Sequence, residues 1–213
     1  MMKQTVHRIA AITVVLLGVV GYSTTVYGQD ISSKPVPQKY IDEIRMVDVR
    51  DRALFEAESR SAFFVMLAAK LKDTKRITPS QRSELVSQVQ SQIANLNAIK
   101  TNLKHDTTAA EILTRRQTIA LSYRSYLFLG PKVLILAFAD RAIDLAAEIK
   151  TQTTDPTAQS LLADADTKAK LILNSVGDAQ FSNYAASGDT FIAAQKTIAI
   201  ILQDLQDAKK TIR

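Results

Sequence analysis

From Phe191 to Ile212 the residues Phe191, Ala194, Ile198, Ile201, Leu205, Ala208 and Ile212 follow one another at steps of three and four without a miss. That spacing puts all seven on one stripe of a helix, whereas a half-buried strand would alternate every second residue. A stripe with this mean period is a coiled-coil-like seam, which buries best against a long, nearly antiparallel neighbour. Beyond residue 38 glycine is nearly absent, Ala, Leu, Ile, Gln and Lys dominate, and no alternating pattern persists. The expectation is an all-α chain folded as an up-and-down antiparallel bundle of about five to six helices.

The other helices are read from their apolar stripes and end signals. A first helix is expected from about Lys39 to Lys72, entered from the extended Lys34-Pro35-Val36-Pro37 segment. Thr78-Pro79-Ser80-Gln81 combines an N-cap, a first-turn proline and a capping-box partner, and opens a second helix. That helix carries Leu85, Val89, Ile93, Leu96, Ile99 and Leu103 on one side and Ser, Gln and Asn on the other. Thr108-Ala109-Ala110-Glu111 is a second capping box, and the helix it starts should pass Ile112, Ile119 and Tyr123. At Gly130-Pro131 a kink or break is expected, because proline lacks the amide and its ring clashes with the preceding turn.

A fourth helix should begin at Pro131, and its Val133–Ala139 run, apolar on every side, marks it as the most buried. Thr154-Asp155-Pro156 stops it and caps a fifth helix with Leu161, Leu162, Ala165, Ala169 and Ile172 inward, ended by Gly177-Asp178. Residues 39–213 thus read as a single helical-bundle domain.

The N-terminus has the layout of a secretory signal peptide. Lys3 and Arg8 precede an apolar run from Ile9 to Val20, and Val26-Tyr27-Gly28 places small residues before Gln29. Residues 1–28 are therefore expected to be removed by cleavage between Gly28 and Gln29, leaving 29–38 as an extended lead-in to an extracytoplasmic protein. The alternative is an uncleaved anchor, but the run covers only about 18 Å of a hydrocarbon core about 30 Å thick. No later apolar run is long enough to span. The chain has no cysteine, so it forms no disulfide, carries no lipid-modified cysteine and offers no thiolate for catalysis or metal binding. Its formal charge of +6 drops to about +4 once Lys3 and Arg8 leave, a mild bias that permits an anionic partner without demanding one.

Catalysis is poorly supplied. Beyond the leader the only histidine is His105, whose place at a helix C-terminus suits the helix dipole. A bundle di-metal site needs Glu-x-x-His on two helices, and the chain has none. An all-carboxylate site would require Asp51, Glu58, Asp140 and Asp144 to converge. The competing expectation is that Asp140 and Asp144, one turn apart, form inter-helix ion pairs with Arg141 and with Arg45 or Arg52. No catalytic residue, cofactor or metal is assigned. Most cations cluster at expected helix ends: Lys70, Lys72 and Lys75; Lys100 and Lys104; Lys150; Lys209, Lys210 and Arg213. With no stacking platform or nucleic-acid-binding module, nucleic-acid binding is not expected.

Two segments remain as partner-binding candidates. Tyr123-Arg124-Ser125-Tyr126-Leu127-Phe128-Leu129-Gly130-Pro131 crowds aromatics and an arginine at the expected helix break. Phe181-Ser182-Asn183-Tyr184-Ala185-Ala186-Ser187-Gly188 reads as a weakly periodic connection between the last two helices. Tyr123, Arg124, Tyr126, Phe128, Phe181 and Tyr184 are the candidate contact residues. Both segments have a structural alternative, as core around a kink and as a plug over the bundle end.

The stretch from Tyr123-Arg124-Ser125-Tyr126 through Gly130-Pro131-Lys132 to Ala139-Asp140-Arg141 resembles a segment of uncharacterised exported helical-bundle proteins of candidate-phyla (Patescibacteria-type) bacteria. The resemblance implies an envelope or secreted protein and supplies no catalytic residues. Ile77-Thr78-Pro79-Ser80-Gln81-Arg82 is similar to the Leu-Thr-x-x-Gln motif of Spy/CpxP-type periplasmic chaperones, with Ile77 in place of the leucine and no second copy. Two functions follow as expectations: a non-enzymatic binding, adaptor or structural component of the cell envelope, with a protein or envelope polymer as partner, or a Spy-like ATP-independent holdase.

Overall fold

The computed structural model describes residues 46–212. The expected signal segment, the 29–38 lead-in and the stretch from Lys39 to Arg45 lie outside the described residues. Six α-helices follow in order: α1 (Met46–Asp73), α2 (Pro79–His105), α3 (Ala109–Leu121), α4 (Tyr123–Lys150), α5 (Pro156–Gly177) and α6 (Tyr184–Lys210), with a 3-10 turn at Phe181–Asn183 before the last. No strand occurs among the described residues. The protein is an all-α helical bundle. No helix among the described residues is long and apolar enough to cross a membrane.

The end signals are satisfied by atoms. Thr78 accepts from the Gln81 amide at 3.1 Å while the Gln81 side chain takes the Thr78 amide at 3.1 Å. Thr108 and Glu111 make the same reciprocal pair, and Asp155 caps α5 through the Ala158 amide at 2.8 Å. Each arrangement satisfies amide groups that the first helical turn leaves unpaired.

Long-range contacts set the helix directions. Arg50, near the start of α1, donates to the carbonyl of Asp106, just past the end of α2, so these two helices are antiparallel. Arg60 of α1 reaches the Ile119 carbonyl and the Tyr123 ring, Phe63 meets Tyr126, and the loop after α1 meets Asp140. α1 therefore runs parallel to the α3–α4 line. At the other side α4, α5 and α6 pack on one another as a three-helix unit, with Lys132 near the start of α4 reaching Ala179 past the end of α5.

Helix α4 is the shared centre. Val133, Leu134, Ile135, Leu136, Phe138 and Ala139 are all buried, as are Ala142, Ile143, Leu145, Ala146 and Ile149. On α6 the seam residues Phe191, Ala194, Ile198, Ile201, Leu205 and Ala208 are buried against α5 and α4.

The expected break at Gly130-Pro131 is displaced. Pro131 lies inside α4, and α3 ends at Leu121 instead. An interior proline costs about 3 kcal/mol. Burying each large apolar side chain returns about 1.5–3 kcal/mol, and α4 buries its length on neighbours from both sides. At Ser122 the balance reverses. The carbonyl of Ile119, which the Tyr123 amide would take in an uninterrupted helix, accepts from the Ser122 hydroxyl at 2.7 Å and from the Arg60 guanidinium. Leu121 is left exposed beside it, so little burial opposes the break.

The segment from Tyr184 to Gly188 is also corrected. It is the first part of α6, and only Phe181–Asn183 forms a separate turn.

Candidate functional site

Five of the six candidate contact residues divide between two aromatic groups, and the sixth, Arg124, belongs to neither. In the first, Tyr123 stacks on Tyr126 with ring centroids 5.8 Å apart. Tyr126 lies 4.6 Å from Phe63 and 6.1 Å from Phe64, and the Arg60 guanidinium sits 5.2 Å over the Tyr123 ring. These contacts join α4 to α1, so Tyr123 and Tyr126 serve the helix interface. Arg124 is exposed.

In the second group Phe128 is buried and meets Phe181 and Phe191, both at 5.5 Å between centroids. Tyr184 continues the cluster at 6.3 Å from Phe181. Phe181 itself is 44% exposed, so one aromatic of this group faces solvent.

Beside Phe181 lies an open cleft of about 340 Å³ lined by Ser87, Gln88, Ser91, Gln92, Ser125, Phe128, Leu129 and Phe181. One wall is α2, whose serines and glutamines recur at four-residue steps and so share a face. The other is the start of α4 with the 3-10 turn. Phe128 and Phe181 were legible as candidates. The α2 wall was missed, because a Ser/Gln/Asn face reads as an ordinary solvated surface until the fold sets an aromatic edge opposite it.

Against the Phe128 ring is a group that sequence reasoning overlooked. Lys132 is buried at 3% exposure, with its ammonium 5.6 Å from the Phe128 ring centroid and 2.6 Å from the Ala179 carbonyl. Burial pushes it below the usual lysine range, against the pull of Glu84 and Asp178, which favour the charged form. Ser187, also buried, donates to the next carbonyl, Gln180, at 2.9 Å. Two buried donors thus hold the backbone just before Phe181.

The carboxylates are engaged elsewhere. Asp140 accepts the amides of Lys75 and Arg76 at 3.0 and 2.9 Å, and the Arg76 guanidinium at 3.1 Å. Asp144 meets Arg76 at 2.6 Å, Lys75 at 3.4 Å and Arg141 at 3.9 Å. The expected partner Arg52 takes no part, and Arg45 lies outside the described residues. Arg76, in the α1–α2 loop, takes the role instead. Asp51 and Glu58 are exposed on α1, more than about 20 Å along its axis from the loop that meets Asp140. Among the described residues no group of three or more His, Asp or Glu side chains is placed to hold a metal ion.

Of the expected cation positions, Lys70 and Lys72, Lys104 with His105, Lys150, and Lys209 and Lys210 stand in last turns, while Lys100 sits earlier on α2 and Arg213 lies outside the described residues. Lys75 lies past α1. Direct capping of the α1 end comes from Arg82 of α2, which donates to the carbonyls of Leu71, at 2.6 Å, and of Thr74.

No protein-family model matches this chain, and neither a curated protein nor a solved structure is detectably similar to it. The cleft chemistry is therefore read from its own residues. Hydroxyls and carboxamides face aromatic and aliphatic carbon, and none of the lining side chains titrates near neutral pH. Such a lining can bind and orient a ligand and contains no acid, base or nucleophile pair.

Proposed function

We propose that this chain is a non-enzymatic, exported helical-bundle protein that acts as a binding or adaptor component of the cell envelope, with the α2–α4 cleft as its contact site. The supporting observation is the cleft itself, where a partly exposed aromatic, Phe181, faces uncharged hydrogen-bonding groups in a volume of about 340 Å³. Export rests on the charge, apolar run and small-residue cleavage pattern of residues 1–28. A photo-crosslinking residue placed at position 91 of the full chain, in a native envelope extract, tests this. One stoichiometric partner captured from position 91, and absent when the probe sits at the exposed α5 position 167, is the expected result. Equal capture from both positions would remove the cleft from consideration.

A second reading, the Spy-like ATP-independent holdase, draws on the apolar residues left outside: Phe55 is 72% and Leu121 74% exposed, with Val47 and Val65 also exposed on α1. A holdase would suppress aggregation of an unfolding client, and Phe55→Ser with Leu121→Ser would abolish that protection. A dedicated adaptor would give no protection with or without those changes.

A further inference from the structure

We infer that the cleft between α2, α4 and the 3-10 turn takes a segment of neutral glycan, the sugar's C–H face lying against Phe181, the exposed aromatic of the lining, and its hydroxyl or acetamido groups meeting the serines and glutamines of α2. The inference rests on the reading of the cleft as the contact site and names the class of ligand it accepts.

The chemistry of the two walls carries it. Ser87, Ser91, Gln92 and Ser125 make no side-chain hydrogen bond among the described residues. Gln88 gives one N–H to Glu84 at 3.0 Å, leaving its amide oxygen as an acceptor. Hydroxyls and carboxamides both donate and accept, which matches a ligand whose own groups do the same. The opposite wall supplies carbon: an aromatic ring carries negative charge on its face and attracts polarised C–H groups. A polyanion would find no cation among the lining residues, and Lys132, which lies against the Phe128 ring, is buried and bonded to Ala179. An amphipathic helix or an unfolded client would leave the α2 hydroxyls and amides facing apolar carbon, at the cost of their hydrogen bonds to water.

The site is also built in advance. Lys132 and Ser187 pin the carbonyls of Ala179 and Gln180, and the Phe128 ring meets Phe181 edge-on at 5.5 Å. Fixing the wall beforehand removes an ordering cost from binding. The cleft is open to solvent and its volume is at the low end of small-ligand sites, which suits a short stretch of glycan.

The test titrates the full chain with an N-acetylglucosamine tetramer, a glucose tetramer and a sulfated glycan, followed by calorimetry and by the NMR signals of the glutamine side-chain amides. Ser91→Trp fills the cleft from an exposed position of α2, and Thr167→Trp makes the same change on α5. Thermal unfolding checks that both variants keep the fold. Saturable binding of a neutral tetramer, weakened about tenfold or more by Ser91→Trp and untouched by Thr167→Trp, is expected for a ligand displaced from its pocket. Absence of neutral-glycan binding, binding indifferent to Ser91→Trp, or binding of the sulfated glycan alone would overturn the inference. If the tetramers fail while the position-91 photoprobe still captures a stoichiometric partner, the glycan class is wrong and the contact site stands. If both fail, both readings fall.

Discussion

The ring of Phe63 on α1 occupies the space that a side chain on Gly130 of α4 would need: a β-carbon built at Gly130 meets the Phe63 ring at 3.0 and 3.1 Å. Gly130 has no left-handed backbone angle to satisfy. Its lack of a side chain is what lets α1 and α4 approach, and the same contact seats Phe63 against Tyr126.

Gly130→Ala should therefore destabilise the fold by about 1 kcal/mol net. The substitution gains up to about 1 kcal/mol in helix propensity, and overpacking against Phe63 costs about 1–3 kcal/mol. In a Phe63→Leu background the crowding disappears and the same change should become neutral or stabilising. Urea unfolding of the four-member cycle measures this. Equal effects of Gly130→Ala in both backgrounds would mean that Phe63 is not what the glycine accommodates.

A second glycine acts through Gln81. A β-carbon at Gly177 would lie 2.5 Å from the Gln81 amide nitrogen, which also donates to Asp178 at 3.2 Å. Gly177→Ala should displace Gln81 and so disturb both that link and the Thr78 capping box at the start of α2. The expected loss is at most about 1 kcal/mol, the scale of a weakened cap, because the end of the flexible Gln81 side chain can swing aside. Gln81→Ala alone should cost about 1 kcal/mol, and the double variant should be less destabilised than the sum, because the clash is gone.

Asp140→Ala should be the most damaging single change in the α1–α2 loop. It strips the Lys75 and Arg76 amides of their acceptor and takes one of the acceptors of the Arg76 guanidinium, which keeps Asp144 and the residue-140 carbonyl, with the Asp140 side chain 5% exposed. Breaking a buried pair costs about 3–5 kcal/mol, but Arg76 is 36% exposed and can turn to water, which lowers the expectation to about 2–3 kcal/mol. Asp51→Ala, on an exposed α1 position, should stay within about 0.5 kcal/mol of the parent. Chemical denaturation that ranked the two alike would remove Asp140 as the organiser of this loop.

Acid should weaken the fold in a predictable direction. The Thr108 hydroxyl, with the Thr108 and Thr107 amides, holds the Glu111 carboxyl below its ordinary range. At Asp144 burial pushes the other way, but the Arg76 hydrogen bond and charge, aided by Lys75, outweigh it and the carboxyl is again held low. A carboxylate with a depressed folded-state pKa contributes stability above its unfolded value, and that contribution is lost as pH falls through the folded one. Melting temperature should therefore decline below the ordinary carboxylate range of about pH 4. Glu111→Gln, which can still return the capping-box hydrogen bond, should shallow that decline while leaving the α2 capping box intact. An unchanged slope would mean that the Glu111 charge plays no part.

What the sequence determined by itself was whatever is settled within four residues. The reciprocal caps of Thr78 with Gln81 and Thr108 with Glu111, the Asp155 cap, the unbroken seam from Phe191 to Ala208 and the burial of Val133–Leu136 all follow from helical spacing and neighbouring side chains. Phe128 and Phe181 could be singled out in the same way, as aromatics at a helix end and a turn. Tertiary structure decided every matter in which a residue answers to a distant one. Arg60, 59 positions before Ile119, takes the carbonyl that moves the helix break to Ser122, while burial from two sides carries α4 through Pro131. Arg76 claims Asp140 and Asp144 because a loop, not a helix face, delivers it. Lys132 goes inside because the end of α5 offers a carbonyl to meet it. The α2 serines and glutamines become one wall of a cleft only because the fold places Phe181 across from them. A local pattern states which face of a helix is apolar, but the partner of that face depends on burial summed over the whole bundle.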